Sequence, residues 1–384
     1  MLKMRKVCRS SKPKICYVST SLGVHLCGIA TYTHYLEREV GKRFDTYITK
    51  GWVIGSRFFP FRIFVEVVAE KPNLVHIQWE YMMFGPAQVS FFFPFLLLFL
   101  NFYRKPIVLT MHSVIPTQTL DAAFFESYGA GRRFSYVKKL MVLLFTKVVE
   151  RFSDVIIVHS EISRHVLLRQ YRFPSYKVSV IPHPIIGENP RPKEESDQFT
   201  IMHFGFVKNS KGVHHVLNIL PKVVERFPNV RFIVVGAVRN IGRERNYAIL
   251  LREMVRDKKL ESHVSFIDHF IPFEQLPPVL SQADVYVLPY TEKLLSDSGA
   301  LKTLLPYGRP ILATRLRCFE KLANSLLLIN PENLERELAD KLLRMIEDDQ
   351  FRKKYGEKCI EIVGNYSLDK IAKATEQIYL NLLK

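Results

Sequence analysis

Short apolar runs alternate along the chain with longer segments whose apolar positions recur at helical spacing. Apolar runs that polar residues do not interrupt predict strands buried on both faces of a parallel sheet, because helices cover both faces of such a sheet. In the first half, the predicted strands cover 14–20, 73–78, 106–112, 154–160 and 177–183, and the predicted helices cover about 29–40, 87–103 and 132–152.

A polar segment rich in proline and charge, GENPRPKEESDQ at 187–198, predicts an interdomain linker. The alternation then starts again. Predicted strands cover 199–207, 230–236, 263–268, 284–289 and 310–314, predicted helices lie near 212–227, 242–258, 273–282 and 299–307, and the tail is helical from about 331. The pattern predicts an α/β protein with two consecutive open parallel sheets and a small-molecule cleft between them.

The net charge of +18 favours anionic partners such as phosphates, acidic lipids or nucleic acid. Residues 1–190 carry 25 Lys and Arg against 12 Asp and Glu, so most of the positive excess lies in the N-terminal half. A nucleic-acid-binding chain is expected to combine such charge with a recognisable module. The sequence has no zinc-finger spacing and no RNP-like aromatic motif, and we expect no nucleic acid among the partners.

The five cysteines form no CxxC pair, which is typical of reduced intracellular proteins. The apolar segment 89–103 contains Pro94 and is shorter than the roughly 20 residues of a membrane span, so it predicts a buried or interfacial helix. The helix at 132–152 has basic and apolar faces. The sequence therefore predicts a cytoplasmic protein, either peripheral at the inner face of an anionic membrane through this helix or with the helix facing its own core.

One candidate anion site is the loop that opens the first predicted helix, at Gly28, Ile29 and Ala30. Backbone N–H groups at a helix N-terminus lack partners within the helix and favour anions. The glycine would let a ligand approach the backbone closely. The alternative is an ordinary strand-to-helix turn.

Two further candidates follow strands in the second half. FGFVKNSKG at 204–212 places Lys208 and Lys211 before a helix, where two ammonium groups suit a diphosphate; the alternative is two solvated lysines. In the segment after DVYVLPY, Ser298 opens another helix, whose first amides and dipole would stabilise a departing phosphate. The alternative is that Ser298 is only an N-cap.

His112 and His183 each follow a predicted strand, and so does Glu80. Histidines there would donate hydrogen bonds to a bound sugar, and the carboxylate would hold hydroxyls or take a proton. A structural role is the alternative for each. No histidine stands at HxxxH or HxH spacing with nearby carboxylates, and we expect no metal site.

Nine segments in the same order resemble the retaining, nucleotide-sugar-dependent glycosyltransferases of family 4, or glycosyl transferase group 1. The segments are CGIATYTHYL (27–36), NLVHIQWEYMMFGP (73–86), VLTMHSVIP (108–116), DVIIVHSEISRHVLL (154–168), VSVIPHP (178–184), FGFVKNSKGVHHVL (204–217), VRFIVVG (230–236), HVSFIDHFIPFEQLPPVLSQADVYVLPY (263–290) and SGALKTLLPYGRPILAT (298–314). The resemblance implies the GT-B fold, two Rossmann-like domains facing across a cleft. It implies an acceptor-binding domain at 1–190, a nucleotide-sugar-binding domain at 199–365, and a final helix at 366–384 that packs back on the N-terminal domain.

The resemblance also implies residue roles in the first half and at the phosphate loop. The loop at 28–30 corresponds to the one that contacts donor phosphate or acceptor, and His112 to the cleft histidine that contacts the transferred sugar. Lys211 corresponds to the diphosphate lysine. Lys208 stands where the family usually has arginine, which keeps the charge and loses the bidentate fork.

Further correspondences lie in the second half. By resemblance, the donor-binding residues there are Phe206 in the phosphate loop, His269, Phe270 and Ile271 against the base, and Ser298, Gly299 and Ala300 at the phosphate-binding helix start. The family often carries two glutamates eight positions apart before a GRP-like turn, and these places hold Leu295 and Thr303 here. Thr303 is then expected to hold the donor ribose, and Asp297 or Glu292 the sugar.

The activity that the resemblance implies is transfer of a hexose, of mannose or glucose type, from a nucleoside diphosphate donor. The acceptor would be a glycan or lipid-linked, and configuration would be retained. Lysines and helix amides would stabilise the leaving diphosphate electrostatically, without a metal or another cofactor. The alternatives are a sugar-nucleotide epimerase of the same fold and a catalytically inert binding protein, which the missing glutamates suggest.

Overall fold

The computed structural model describes residues 12–20, 28–81, 83–127, 131–186, 193, 196–238, 242–291 and 298–384. The chain divides into two compact units, Met1–Pro182 with Leu368–Lys384, and His183–Ser367. The proposed site residue Asp297 and the neighbouring Glu292 and Leu295 lie outside the described residues, as does most of the segment 187–198.

The first unit contains a six-stranded sheet in the order β2-β1-β3-β4-β5-β6, in which all neighbouring strands run parallel. Its strands are β1 (Lys14–Val18), β2 (Asp45–Ile48), β3 (Leu74–Trp79), β4 (Ile107–Met111), β5 (Val155–Val158) and β6 (Val178–Val180). Its first seven helices are α1 (Gly28–Val40), α2 (Phe59–Glu70), α3 (Ala87–Ser90), α4 (Phe93–Phe102), α5 (Ala122–Ser127), α6 (Ser135–Phe152) and α7 (Glu161–Arg169).

The second unit repeats this architecture with a parallel sheet in the order β12-β11-β10-β7-β8-β9. Its strands are β7 (Phe199–Phe204), β8 (Val230–Val235), β9 (Val264–Ile267), β10 (Val285–Leu288), β11 (Ile311–Thr314) and β12 (Leu327–Ile329). Its helices are α8 (Val213–Arg226), α9 (Gly242–Asp257), α10 (Leu276–Leu280), α11 (Gly299–Leu304), α12 (Arg317–Glu320), α13 (Leu334–Glu347) and α14 (Asp349–Glu361).

The last helix, α15 (Leu368–Leu382), belongs to the first unit and packs against α1. Its Tyr379 is fully buried, and its Glu376 pairs with Arg43 just after α1. A hydroxyl of α15 thereby reaches the middle of the first sheet, where it bonds to His76 of β3.

Strand β3 is buried along its whole length, although it contains His76 and Gln78. Successive side chains of a strand point to opposite faces, so these two share a face. Val75, Ile77 and Trp79 share the other face and pack in the core with α2, α4 and α6. The histidine and the glutamine therefore lie on the α1 and α15 side of the sheet.

The apolar segment at 89–103 contains the end of α3 and all of α4, and α4 packs between α2 and α6. Phe93, Leu96, Leu97 and Leu100 are buried, while other aromatic side chains of this segment are exposed. The prediction of a buried or interfacial helix is confirmed. Within the described ranges, no helix is both long and apolar enough to cross a bilayer.

Candidate active site

The carboxyl ends of the second sheet's parallel strands meet at one edge, where ligands bind in open α/β sheets. Directly after β7, Gly205 donates its N–H to the Val235 carbonyl at 2.9 Å, and Gly236 after β8 donates to the Ile267 carbonyl at 2.9 Å. The loops that follow β7, β8 and β9 therefore lie side by side.

Gly205 marks the point where three loops meet. Its φ is +134°, in the region that favours glycine. A Cβ built there would lie 3.7 Å from the Ala300 Cβ and 3.7 Å from the Tyr290 hydroxyl oxygen. The loop after β7, the residues after β10 and the start of α11 thus converge, as the sequence motifs require for one anion site.

Lys211 is held in this group by an aromatic ring. Its Nζ lies 3.6 Å from the centroid of the Tyr290 ring, within the range of a cation–π contact. The Thr291 N–H donates to the Ser210 carbonyl at 3.0 Å, which ties the lysine's turn to the chain after β10. Lys208 begins the same turn, and its carbonyl accepts from the Lys211 N–H at 2.9 Å.

His203, on β7, stays neutral next to this lysine. The pKa of His203 is lowered to about 4, mainly by burial and also by the positive charge of Lys211, although a hydrogen bond to the Val287 carbonyl opposes the shift. The neighbourhood of Lys211 therefore carries its charge on the ammonium and not on the imidazole.

Ser298 caps α11, because its buried hydroxyl accepts from the Leu301 N–H at 3.2 Å. The N-cap interpretation of Ser298 is thus observed, and Gly299 and Ala300 supply the first helical N–H groups beyond the cap. Thr303 is also buried, and its hydroxyl donates to the Gly299 carbonyl at 3.0 Å. Its hydrogen is used within the helix, which leaves the oxygen lone pairs for another partner.

The predicted base-contacting loop follows β9. His269 and Phe270 are exposed, and Ile271 packs partly against the core of the unit. Phe206 lies half-buried directly after Gly205. These residues lie at the same edge of the sheet as the turn that contains Lys208 and Lys211 and as the start of α11.

In the first unit, α1 begins at Gly28. A Cβ there would meet no atom of the described residues within 4 Å, so the packing of the described part of the chain does not require glycine at this position. Ala30 is buried, and the Thr33 hydroxyl donates to the Ile29 carbonyl at 2.7 Å. The residues before Gly28, 21–27, lie outside the described part of the chain.

His112 follows β4, where its N–H donates to the Trp79 carbonyl at 3.0 Å. Its Nε2 lies 2.9 Å from the Gln78 Oε1, and its Nδ1 lies 3.2 Å from the Nε2 of His159. Both ring nitrogens are therefore engaged within the protein. The expected hydrogen bond from this ring to a sugar would have to replace Gln78 or His159.

The remaining candidates make local contacts. The Glu80 carboxylate accepts from the Ser113 hydroxyl at 2.5 Å, beside His112. The Nδ1 of His183 lies 3.1 Å from the carbonyl of Pro184. Among the described residues, no group of three or more His, Cys, Asp and Glu side chains is placed to hold a metal ion.

Sequence reasoning missed Tyr290, Gln78 and His159. Each stands at or just beyond the carboxyl end of a predicted strand, which is a usable signal in an α/β protein. Their partners lie on other strands, however, and the local sequence pattern does not predict the order of strands in a sheet.

Several solved structures have the same fold as this chain. The sucrose-phosphate synthase from Thermosynechococcus elongatus has a TM-score of 0.72 at 15% identity, covering 97% of this chain and 99% of the other. Anabaena HepE, solved in complex with UDP and glucose, has a TM-score of 0.71 at 15% identity, covering 96% of this chain and 100% of the other. Together with the two parallel sheets, these likenesses define a GT-B fold, as predicted.

Two family models account for most of the chain. Residues 24–186 match Glycosyltransferase Family 4, and residues 198–348 match Glycosyl transferases group 1. The chain belongs to the family 4-like GT-B glycosyltransferases, which confirms the resemblance drawn from the sequence.

Curated relatives agree at the level of the enzyme class. A glycosyltransferase of Methanocaldococcus jannaschii is 22% identical over 334 residues, 71% of this chain and 78% of the relative. The phosphatidyl-myo-inositol mannosyltransferase of Mycobacterium tuberculosis is 26% identical over 47% of this chain and 46% of the relative. The GPI3 subunit of a Saccharomyces cerevisiae phosphatidylinositol N-acetylglucosaminyltransferase is 26% identical over 42% of this chain and 35% of the relative.

Proposed function

We propose that this glycosyltransferase moves a hexose, with retention of configuration, from a nucleoside diphosphate sugar to a lipid-linked or glycan acceptor. The observation that carries the proposal is the Lys211 ammonium on the Tyr290 ring, in the group of loops around Gly205 that includes the start of α11. A cation and helix N–H groups at the carboxyl edge of a parallel sheet suit a diphosphate. The neighbour HepE was solved with UDP-glucose, which supports a donor of this class.

The donor would lie along the second unit's edge. Lys208, Lys211 and the N–H groups of Gly299 and Ala300 would hold the diphosphate, the backbone at 269–271 the base, and the Thr303 oxygen the ribose. As the bond from the anomeric carbon to the diphosphate breaks, these groups stabilise the charge left on the phosphate. The acceptor oxygen bonds to the anomeric carbon, and its proton passes to the leaving phosphate.

A thermal-shift screen against GDP, UDP and ADP sugars tests the proposal, because a ligand that binds only the folded state raises the melting temperature. We expect one nucleotide class to raise it, and Lys211→Ala to abolish the rise. Lys222→Ala is the matched control, since Lys222 is an exposed lysine of α8 away from the lysine turn. A rise that is equal in Lys211→Ala and wild type would contradict the assignment of the phosphate site.

A second part of the proposal concerns where the acceptor is met: at an anionic membrane surface. Helices α2, α4 and α6 pack side by side on one face of the first sheet, and each exposes large apolar side chains. Exposure is 73% for Phe58, 71% for Phe102, 73% for Phe134 and 79% for Tyr136. Aromatic side chains of this kind suit the interface of a bilayer.

Basic residues accompany these aromatic side chains along the sequence, which favours acidic lipids as the occupant of the surface. They include Arg57 and Arg62 near α2, Arg104 and Lys105 after α4, and Arg132, Arg133, Lys138, Lys139 and Lys147 around α6. The phosphatidylinositol-based names of two relatives fit an acceptor anchored in such a membrane.

A flotation assay with vesicles tests whether this surface binds lipid or is only exposed to solvent. We expect binding to vesicles that contain phosphatidylserine, weaker binding at high salt, and none to vesicles of phosphatidylcholine alone. Tyr136→Ser should weaken binding. Tyr176→Ser, which changes an equally exposed tyrosine elsewhere in the first unit, should leave it unchanged. Equal flotation of both variants would count against this surface.

A further inference from the structure

Buried polar side chains form a hydrogen-bonded chain through the first sheet, from α15 to the end of β5. Its members lie on neighbouring elements, and the side chains on β3 and α15 are fully buried. In order they are Tyr17, Tyr379, His76, Gln78, His112 and His159, and the chain ends on the carbonyl of Ile181. The direction of each bond follows from what its two ends can donate.

At the α15 end, the Tyr379 hydroxyl donates to the Tyr17 hydroxyl at 3.1 Å. The Tyr379 oxygen must therefore accept from the Nδ1 of His76, which lies 2.5 Å away. Burial lowers the pKa of His76 to about 3, with the nearby His159 adding to the shift, so this ring is neutral. A neutral imidazole with its hydrogen on Nδ1 has a lone pair on Nε2.

That lone pair sets the orientation of Gln78. The amide Nε2 of Gln78 lies 3.3 Å from the Nε2 of His76, and the Thr110 hydroxyl lies 2.8 Å from the same nitrogen. The amide nitrogen of Gln78 faces this lone pair, which it shares with the closer Thr110 hydroxyl, and the amide oxygen faces His112. An amide oxygen only accepts, so the Nε2 of His112 carries a hydrogen.

At the opposite end of the chain, the carbonyl of Ile181 likewise requires a hydrogen on the ring nitrogen that faces it. The Nδ1 of His159 lies 2.9 Å from the Ile181 carbonyl, which only accepts, so this nitrogen also carries a hydrogen. The remaining bond joins the Nδ1 of His112 to the Nε2 of His159 at 3.2 Å and needs one hydrogen. The two rings then hold three N–H hydrogens, one more than two neutral imidazoles can hold.

We propose that His112 and His159 share one proton as a monocation, and that Gln78 and His159 are positioning residues that fix this charge at the carboxyl edge of the first sheet. The consequence for catalysis rests on the proposed function. The N–H groups of the pair are used within the protein, so the pair attracts an anionic group of the donor or acceptor through its charge and not through a hydrogen bond. The charge itself follows from the bond directions given above, from Tyr379 to the Ile181 carbonyl, and does not depend on the proposed function.

The described groups around the two histidines are compatible with a single positive charge on the pair. The ring of Tyr32 on α1 meets both imidazoles edge-on, with centroids 5.2 and 5.6 Å away, and the neutral His76 lies on β3. Glu80 after β3 binds Ser113 beside His112, and Glu161 begins α7 just after His159. The Glu80 carboxylate favours the protonated pair, whereas the charge of Glu161 is offset by its ion pair with Arg164 at 3.7 Å.

Histidine ¹⁵N NMR across a pH titration tests the proposal on the full chain, with His112→Gln and His159→Gln used to assign the signals. Near neutral pH, we expect the ¹⁵N chemical shifts of the two rings together to correspond to one protonated and one neutral imidazole. Gln78→Glu should raise the pair's titration midpoint, because a carboxylate stabilises the cation. Gln78→Met should lower it by about one pH unit or more, since the acceptor is lost.

Tyr379→Phe gives a sharper test, because Tyr379 touches neither histidine of the pair. Without its oxygen, the hydrogen of His76 moves to Nε2 and Gln78 turns its N–H toward His112, which favours a neutral pair and lowers the midpoint. Tyr47→Phe, which removes a hydroxyl bonded to Glu66 in the same unit, is the control and should leave the midpoint unchanged.

Two neutral rings in the wild type at pH 6, or midpoints that ignore both Gln78→Glu and Tyr379→Phe, would overturn the proposal. The ¹H–¹⁵N spectrum of each variant shows whether it is folded, so a folding failure is recognised. The titration needs no turnover, and it therefore separates this proposal from the proposed function. If both hold, the pH profile of kcat/KM should move in the same direction as the midpoint in each variant.

Discussion

At the scale of single residues, the two halves of the candidate site differ in how far the sequence reveals them. Lys211 and Ser298 were visible because glycine, charge and a strand end stand together in short motifs. Tyr290 was not singled out, since an aromatic residue after a strand is usually core. Its role depends on the 3.6 Å approach of Lys211, which comes from packing between loops.

Substitution by alanine should lower stability at Gly212 and leave it nearly unchanged at Gly28. Gly212 has a φ of +71°, and an added Cβ would lie 1.9 Å from the Pro289 carbonyl oxygen, so Gly212→Ala should destabilise by more than about 1 kcal/mol. At Gly28 the added Cβ meets no described residue within 4 Å, and the melting temperature should stay near that of wild type. Its turnover should nevertheless fall if the start of α1 contacts a ligand.

Differential scanning calorimetry together with a transfer assay checks both variants. Normal activity in a stable Gly28→Ala would remove the start of α1 from the site. A melting temperature of Gly212→Ala equal to that of wild type would show that the turn before α8 can relax.

At the scale of elements, long buried strands were predicted well. β3, β4 and β8 are mostly apolar segments between clear breaks, and the structure places strands there. β2, α2 and β12 were missed. DTYI and LLI are too short to show a period, and β2 is only partly buried, while α2 carries large apolar residues on its exposed side. Tertiary packing decided these elements.

The packing of α15 on the first unit predicts a local effect on stability. Ile371 is 3% exposed, so Ile371→Ala should lower the free energy of unfolding of this unit by about 2–5 kcal/mol. Leu380→Ala on the exposed side of the same helix is the control. Both tryptophans, Trp52 and Trp79, lie in the first unit, and their fluorescence during urea unfolding reports on it alone. Equal stability of the two variants would contradict the packing of α15.

At the scale of the whole molecule, the buried histidines predict the effect of acid. The pKa of His76 is lowered to about 3 in the folded first unit, below the roughly 6.5 of an unfolded histidine. As the pH falls below about 6.5, the unfolded chain takes up a proton that folded His76 does not, so stability is lost. Above that pH this group contributes no slope.

Each such proton corresponds to about 1.4 kcal/mol per pH unit. Tryptophan-detected urea unfolding at pH 7.5, 6 and 5 should show the first unit weakening between the last two values. A free energy of unfolding that is constant from pH 6 to pH 5 would contradict a neutral, buried His76.

The central claim is that Lys211, held on Tyr290 at the edge of the second sheet, stabilises the leaving diphosphate of a sugar donor. The most direct measurement is kcat/KM for transfer from the donor identified by the thermal-shift screen, in Lys211→Ala and the Lys222→Ala control. We predict a loss of about 100-fold or more in Lys211→Ala, because a preorganised contact to developing charge is worth about 2.7–4 kcal/mol, and no loss in the control. Turnover by Lys211→Ala within threefold of wild type would contradict the claim.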